Sequence, residues 1–478
     1  MTHIIDLIFF SIFDKGAAFR LGTAPHLDFT RMADTYGDVF SIKIGTRLVV
    51  VLNRHKIIRE ALMKKAAVFA GRPDLYTFSI ASGGGGGMTF VDYSPKQQAL
   101  RKLTQNAIHK YLTTQEMLEK NIQAECKRLL EYFKKQQGKP FEPRDIFKMA
   151  TSNIILGILF GTNFSYDNKE LQTLLHNADD FKECLSVGNQ IDFMPWLSMF
   201  TNSCFVKLSR LFKIFRELIN KLFLENKLTY VDGKTRNFAD TLIKAHMDNK
   251  RIAQTENTKY ELRDNDLLWT LADLFGAAMD TSAVTLTFAL GYLLKYPVYQ
   301  AEIQAEIDSL LDHKEAIKTE QVEKLHFLQA FLYEIFRITS IVPTSLPHST
   351  TADTTLVGYH IPKGTVILPN LWSVHHDPNV WKDPHLFNPR RFLDEKNQVI
   401  DTNTLAGFMP FSLGRRMCPG YKLGILQICM FLSALLQRFN FTQDGLDAKF
   451  KILDLTPEYG VSMKPSTFYL NVHERNEE

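Results

Sequence analysis

Apolar residues recur with helical spacing through most of the middle of the chain, from about Lys96 to Thr339. Turn signals interrupt them at Gly138-Lys-Pro140, Gly188-Asn189 and Val231-Asp-Gly233. One stretch departs from the amphipathic pattern. After Asp264 and Asp266, positions Leu267 to Lys295 are mostly apolar, and the run stops before Pro297. A helix that is apolar nearly all round is buried, so this segment predicts a long core helix. Strand patterns are short and peripheral. Residues 39–53 predict a hairpin around Gly45-Thr-Arg. Residues 355–370 predict strand, Pro362-Lys-Gly turn, strand, and residues 461–472 a last hairpin around Lys464-Pro-Ser. Between 377 and 410 runs an irregular stretch dense in Pro, Asn and Asp, and loops of that length are usually functional. Gly83 to Gly87 is a five-glycine run with no Gly-Lys-Ser/Thr behind it. It reads as a mobile connection and not as a phosphate loop. The sum is a mainly α fold with small β-sheets.

Composition adds little and excludes some classes. The 478 residues are 45% hydrophobic and 23% charged, an ordinary globular balance with material for a large core. No Gly/Ser/Pro-rich linker divides the chain, so residues 15–478 read as one domain behind a short apolar segment, 1–14. Within that segment Asp6 and Ser11 break the run from Ile4 to Phe13. A membrane span needs about 20 apolar residues, and no cleavable-leader pattern accompanies this run. Three readings stay open for it: an interfacial anchor, the remnant of a longer anchor, or a buried segment. The net charge of +4 does not argue for nucleic acid; it is compatible with a positive patch for an acidic protein partner. The five cysteines are scattered and have no zinc spacing, which suggests reduced thiols and a cytosol-facing fold.

Candidate chemistry concentrates in Phe411-Ser-Leu-Gly414-Arg-Arg416-Met-Cys418-Pro-Gly420. This is the spacing of a loop that holds a haem iron by one cysteine thiolate. Each residue type has a physical task. Backbone N–H groups after Cys418, at the start of the next helix, can point at the sulfur. Gly414 and Gly420 permit close backbone approach. Arg416 suits a haem propionate, and Phe411 would keep water from the loop. Upstream, Glu334-Ile-Phe-Arg337 places two opposite charges on one helical face. With Arg391 of Phe387-Asn-Pro-Arg-Arg391-Phe392, they can form a buried structural network that pins the irregular stretch.

These three segments together resemble a cytochrome P450, across essentially the whole chain from about Gly22. Tyr36-Gly-Asp-Val-Phe40, Gly71-Arg-Pro-Asp-Leu75, Asp192-Phe-Met-Pro-Trp196, Leu346-Pro-His-Ser-Thr350, Gly358-Tyr-His-Ile-Pro-Lys363 and Trp372-Ser-Val-His-His-Asp377 resemble the animal family-1 enzymes, and among them the 1B type. The resemblance implies the cytochrome P450 fold and a haem b with Cys418 as axial ligand. Arg101, His348 and Arg416 would meet the propionates. Phe275-Gly276-Ala277-Ala278-Met279-Asp280-Thr281-Ser282 would be the oxygen-activation segment, with Asp280 and Thr281 delivering protons. Substrate would contact Phe90, Phe181, Asp273, Gly276, Ala277, Leu346 and Val461.

The implied activity is monooxygenation of apolar, planar aromatic or steroid substrates. Electrons would come from NADPH through NADPH–cytochrome P450 reductase, with cytochrome b5 as a second candidate partner, on the cytoplasmic face of the endoplasmic reticulum membrane. Two alternatives are a haem-thiolate isomerase or peroxygenase and a non-enzymatic haem-based ligand carrier. The sequence departs from the family pattern at Gln97 (usually Trp), Ala278 (usually Gly) and Arg390 (usually Glu), and residues 1–21 do not match the full-length anchor and Pro-rich hinge that the resemblance leads one to expect.

Overall fold

The computed structural model describes residues 22–475, apart from 46, 114–115, 185–189, 194–202, 256–258, 313–314 and 451. The apolar segment 1–14 and the turn at Gly188-Asn189 lie outside the described residues, as does the side chain of Phe181.

The long core helix runs uninterrupted from Asp264 to Lys295. Its buried positions fall on every side: Leu267, Leu271, Phe275, Val284, Phe288 and Leu293 are all 0–1% exposed. It is the one described helix long and apolar enough to cross a membrane, yet it lies mostly inside the protein. Helix Arg144–Phe160 packs along it, and Thr151 Oγ1 donates to the Met279 carbonyl at 2.8 Å. Helix Ser203–Leu228 crosses its first half, and helix Tyr421–Arg438 packs against its second. The cysteine loop leads directly into the last of these.

Among the described residues, three small sheets flank the helices. Strand β1 (Val39–Ile44) pairs antiparallel with β2 (Arg47–Leu52), so the first hairpin forms. The second stretch forms strand, turn, strand as expected, with one further short strand ahead of it. β4 (Thr354–Leu356) pairs with β5 (Tyr359–Ile361) around Val357-Gly358, where both residues have positive φ. The Pro362-Lys-Gly turn does not close a hairpin. It releases β6 (Val366–Pro369) into the first sheet, parallel to β2 and antiparallel to β3 (His348–Ser349). All four residues of β6 are buried, Ile367 in one apolar cluster and Val366 and Leu368 in another. The expected C-terminal hairpin is replaced. β8 (Asn471–Glu474) pairs with β7 (Phe439–Thr442), while Glu458 and Lys464 form a single bridge around a tip at Val461-Ser462.

The five-glycine run is packed, contrary to the expectation of a mobile connection. A Cβ at Gly83 would lie 2.1 Å from Trp269 Nε1, one at Gly86 2.7 Å from Trp269 Cδ1, and one at Gly87 2.6 Å from Asp273 Oδ2. The run lies against the first half of the long helix because no side chain intervenes.

Candidate active site

A cavity of 410 Å³ lies between the cysteine loop and the long helix. Cys418 lines one side, and Gly276, Ala277, Asp280 and Thr281 line another. The sulfur is deep in the protein, and the surface it exposes belongs to the cavity wall. Burial pushes its thiol pKa up, while the Gly420 N–H and the nearby Arg101 charge pull it down.

The loop around Cys418 is fixed by backbone geometry. Gly414 has φ +69°, and a Cβ there would stand 1.8 Å from the Leu62 carbonyl oxygen. Only glycine satisfies both constraints. The Cys418 N–H donates to the Phe411 carbonyl at 3.0 Å. Phe411 packs edge-on to Phe336 at 5.1 Å and against Tyr421 at 5.6 Å, shielding the loop.

Glu334 and Arg337 are fully buried. They pair in a bidentate fork, Nε to Oε2 at 2.6 Å and Nη2 to Oε1 at 2.8 Å. Arg391 reaches Glu334 Oε1 at 3.2 Å, and the Asn388 N–H donates to the same oxygen at 2.9 Å. Arg337 also donates to the carbonyls of His375 and Pro384 at 2.8 and 2.7 Å. The irregular stretch is therefore held by charge-assisted hydrogen bonds to its backbone. Arg390, where the family has Glu, points elsewhere and pairs with Glu302 at 2.8 Å.

A second polar group strengthens this side. The Met409 N–H donates to His375 Nε2 at 3.2 Å, which makes Nε2 the acceptor and Nδ1 the protonated nitrogen, 2.7 Å from Ser340 Oγ. Burial, helped by the Arg337 charge, lowers the His375 pKa to about 3.

Cations gather at one margin of the cavity. Arg72, Arg101 and Arg416 all line it; besides burial, the Arg416 and Arg101 charges lower the Arg72 pKa, and the Arg101 charge lowers that of Arg416. Arg416 donates to the carbonyls of Ala70, Met88 and Val91 at 2.8–2.9 Å. Arg72 donates to those of Thr89 at 3.0 Å, Leu346 at 3.2 Å and Pro347 at 2.7 Å. Arg101 contacts the Met417 carbonyl. Beside them, His348 Nδ1 lies 2.7 Å from the Phe69 carbonyl, and its buried Nε2 has no protein partner. Arg72 is not among the residues that the sequence singles out for this site. Its Gly-Arg-Pro-Asp-Leu setting marks a resemblance, but nothing local places it beside residues near 346 and 416.

Gln97, in the usual tryptophan position, donates to the Met88 carbonyl at 3.1 Å, and its Oε1 is buried without a partner. The amide thus braces the strand of chain that also receives Arg416.

On the long helix, Thr281 Oγ1 donates to the Ala277 carbonyl at 2.9 Å, and Asp280 Oδ2 accepts from Ser462 Oγ at 2.5 Å. Asp273 Oδ2 accepts from the N–H groups of Met88 and Thr89 at 2.8 and 2.9 Å, which ties the glycine run to the helix. Burial raises its pKa to about 7 against the pull of those donors. Phe90, Leu346 and Val461 line the same cavity. Opposite Gly276 stands Phe215, whose ring edge lies 3.3 Å from where a Cβ would be. With 36 phenylalanines in the chain, no sequence signal singles it out.

The residues fit a planar, dianionic haem. Gly420 lines the cavity, and a Cβ there would meet no protein atom within 4 Å. That smoothness serves nothing in the chain itself. The unpartnered His348 Nε2 and the arginine cluster supply donors for carboxylates, and one thiol stands at the wall for an iron.

These features define a haem-thiolate enzyme. The cytochrome P450 family model matches residues 8–472. Cytochrome P450 1A1 of Rattus norvegicus is 34% identical over 459 residues, covering 94% of this chain and 86% of that protein. The 1A1 enzyme of Cavia porcellus is 35% identical over 465 residues, with 94% and 88% covered. Cytochrome P450 1A5 of Gallus gallus is 34% identical over 459 residues, with 94% and 85% covered. The chain belongs to the cytochrome P450 family. It is a monooxygenase that carries haem on a cysteine thiolate and draws electrons from NADPH through a reductase.

Proposed function

We propose that this monooxygenase oxidises thin apolar substrates, planar aromatics or steroids, with Asp280 and Thr281 delivering the protons. The reading is carried by one observation: Cys418 and the Gly276–Thr281 segment line the same cavity. Bound haem supplies activation of O2, with one oxygen atom passing to substrate and the other leaving as water. The chain's residues do the rest. Cys418 would hold the iron, its thiolate supplying electron density to it. Arg72, Arg101, Arg416 and His348 would hold the propionates. Thr281 spends its hydroxyl proton on the Ala277 carbonyl, which leaves its oxygen able to accept from water. Asp280 stands beside it as a carboxylate that can take up and pass on a proton.

Substrate shape follows from the walls. Gly276 and Ala277 carry almost no side chain, and Phe215 faces them, stacked on Phe275 at 5.3 Å. Phe90 and Val461 add apolar surface. Such a slot favours a flat ligand over a coiled aliphatic one. Motifs such as Asp192-Phe-Met-Pro-Trp196 and Trp372-Ser-Val-His-His-Asp377 support a 1B-type specificity within family 1, although the rat, Cavia and Gallus relatives are of the 1A type. The same resemblance supports NADPH–cytochrome P450 reductase and cytochrome b5 as partners, and the cytoplasmic face of the endoplasmic reticulum as location.

Thr281→Ala in the reconstituted system tests the assignment. It is expected to keep ligand binding and NADPH oxidation while diverting oxygen to peroxide. Unchanged product per NADPH overturns the role of Thr281. Product formed from added peroxide without reductase favours the peroxygenase alternative, and ligand binding without any turnover favours the carrier.

A further inference from the structure

We infer that Ser462 is a positioning residue for the Asp280 carboxylate, and that the tip carrying it links cavity occupancy to proton delivery. This rests on Asp280 and Thr281 acting as the proton relay.

Ser462 lies 182 positions from Asp280 in sequence, and its hydroxyl donates to Asp280 Oδ2 at 2.5 Å. An O–H···O⁻ bond of that length is in the strong, charge-assisted range. Ser462 is 3% exposed, and both residues line the cavity. The long helix fixes the Asp280 backbone and does not by itself set its χ angles. A hydroxyl brought from another part of the chain restricts which way the carboxylate faces.

The tip is braced for this task. The Glu458 N–H donates to the Lys464 carbonyl at 2.7 Å, and the Lys464 N–H donates back at 3.1 Å. The Met463 N–H donates to the Ile341 carbonyl at 2.7 Å. These bonds hold both flanks of Val461-Ser462 while the tip itself faces the cavity. Val461, one peptide away, is an apolar wall of the slot. With the flanks held, a ligand seated against Val461 acts on the short unbraced tip whose backbone also carries the Ser462 hydroxyl. The bond to Asp280 then lengthens or turns, and the carboxylate is re-aimed when substrate is present. A plain structural role for Ser462, the satisfaction of a buried hydroxyl, requires none of this.

The test uses the full-length holoenzyme with its reductase. Ser462→Ala, Ser462→Thr and Asp280→Asn are compared by peroxide formed per NADPH and by the solvent deuterium isotope effect on kcat. The infrared carboxylate band of Asp280, assigned by its loss in Asp280→Asn, is recorded with and without a planar aromatic ligand. Haem content and thermal midpoint serve as stability controls. Ser462→Ala is expected to raise peroxide yield and isotope effect several-fold with KM little changed, and Ser462→Thr to restore both. The carboxylate band is expected to shift on ligand binding in the native enzyme and not in Ser462→Ala. If Asp280→Asn uncouples the reaction and Ser462→Ala does not, the inference fails and the relay reading stands. If Asp280→Asn itself changes nothing, the relay reading fails. A native band that ignores ligand overturns the link to occupancy. Should Ser462→Ala lose haem, the near-isosteric Ser462→Cys is judged by the same outcomes.

Discussion

On the cysteine side of the cavity, charges are tied to backbone. Glu334, Arg337 and Arg391 close on one another and on the carbonyls of the irregular stretch, and His375 holds the Met409 N–H. On the long-helix side, contact is made mainly by apolar rings and glycines, with Asp273 and Asp280 as separate polar anchors. The difference follows from what each side must do. An anionic sulfur ligand needs a rigid frame that excludes water, and buried ion networks supply one at a high desolvation cost. A substrate wall must yield to different shapes, and van der Waals packing with a few hydrogen bonds deforms at lower cost.

The sharpest way to break the comparison is at the sulfur. Cys418→Ser is expected to abolish the red-shifted Soret band of the ferrous–CO complex, whereas Cys429→Ser, buried in the core, leaves it intact. The reverse result would reassign the ligand. Next in size is the ion network. Glu334→Ala leaves two arginines facing a buried gap, at roughly 3–5 kcal/mol. The protein should then fail to retain haem, and normal haem content with an unchanged thermal midpoint would show the network to be dispensable.

Acid and base act with opposite sign on the two sides. His375 has a folded pKa of about 3, below its unfolded value near 6.5. Its stability contribution is present above pH 6.5 and is lost as pH falls from there toward 3. Each unit of that shift is worth about 1.4 kcal/mol. Asp273, with a folded pKa of about 7, is raised above its unfolded value near 3.9. Its contribution is full below pH 3.9 and is lost as pH rises through 7. His375→Asn should therefore flatten the acid limb of a stability–pH curve, and Asp273→Asn the neutral limb. Identical limbs in both variants would remove the contrast. The smallest effect is expected at the slot. Ala277→Phe should weaken a planar polycycle by about 1–3 kcal/mol through overpacking, read by spin-state titration. A fatty acid binding equally well to both forms, with no loss for the polycycle, would argue against a flat pocket.

The sequence disclosed the cysteine side more fully than the helix side. Cys418, Gly414 and Phe411 lie within ten residues of one another, and Glu334 and Arg337 are one helical turn apart. Such motifs are local and survive without a fold. Arg72 and Phe215 reach the cavity only through tertiary packing, so no spacing announces them. The same cause explains the misplaced C-terminal hairpin. Pro362-Lys-Gly and Lys464-Pro-Ser are turn-prone, but strand pairing is decided by distant partners: β6 joins β2, and β8 joins β7. Turn chemistry gives where the chain bends and not what it bends toward.

The glycine run against Trp269 has a consequence for sequence variation. Five identical letters hide two kinds of constraint. At Gly83, Gly86 and Gly87 any side chain would collide with the long helix or its side chains. Gly84 and Gly85 face open space, and only the sign of φ, +80° and +109°, restricts them. Asparagine tolerates positive φ better than most residues. A saturation library should accordingly accept Asn at 84 while rejecting it at 83 and 87. Drift in this segment would thus collect at its crest, leaving the edges that touch the helix unaltered.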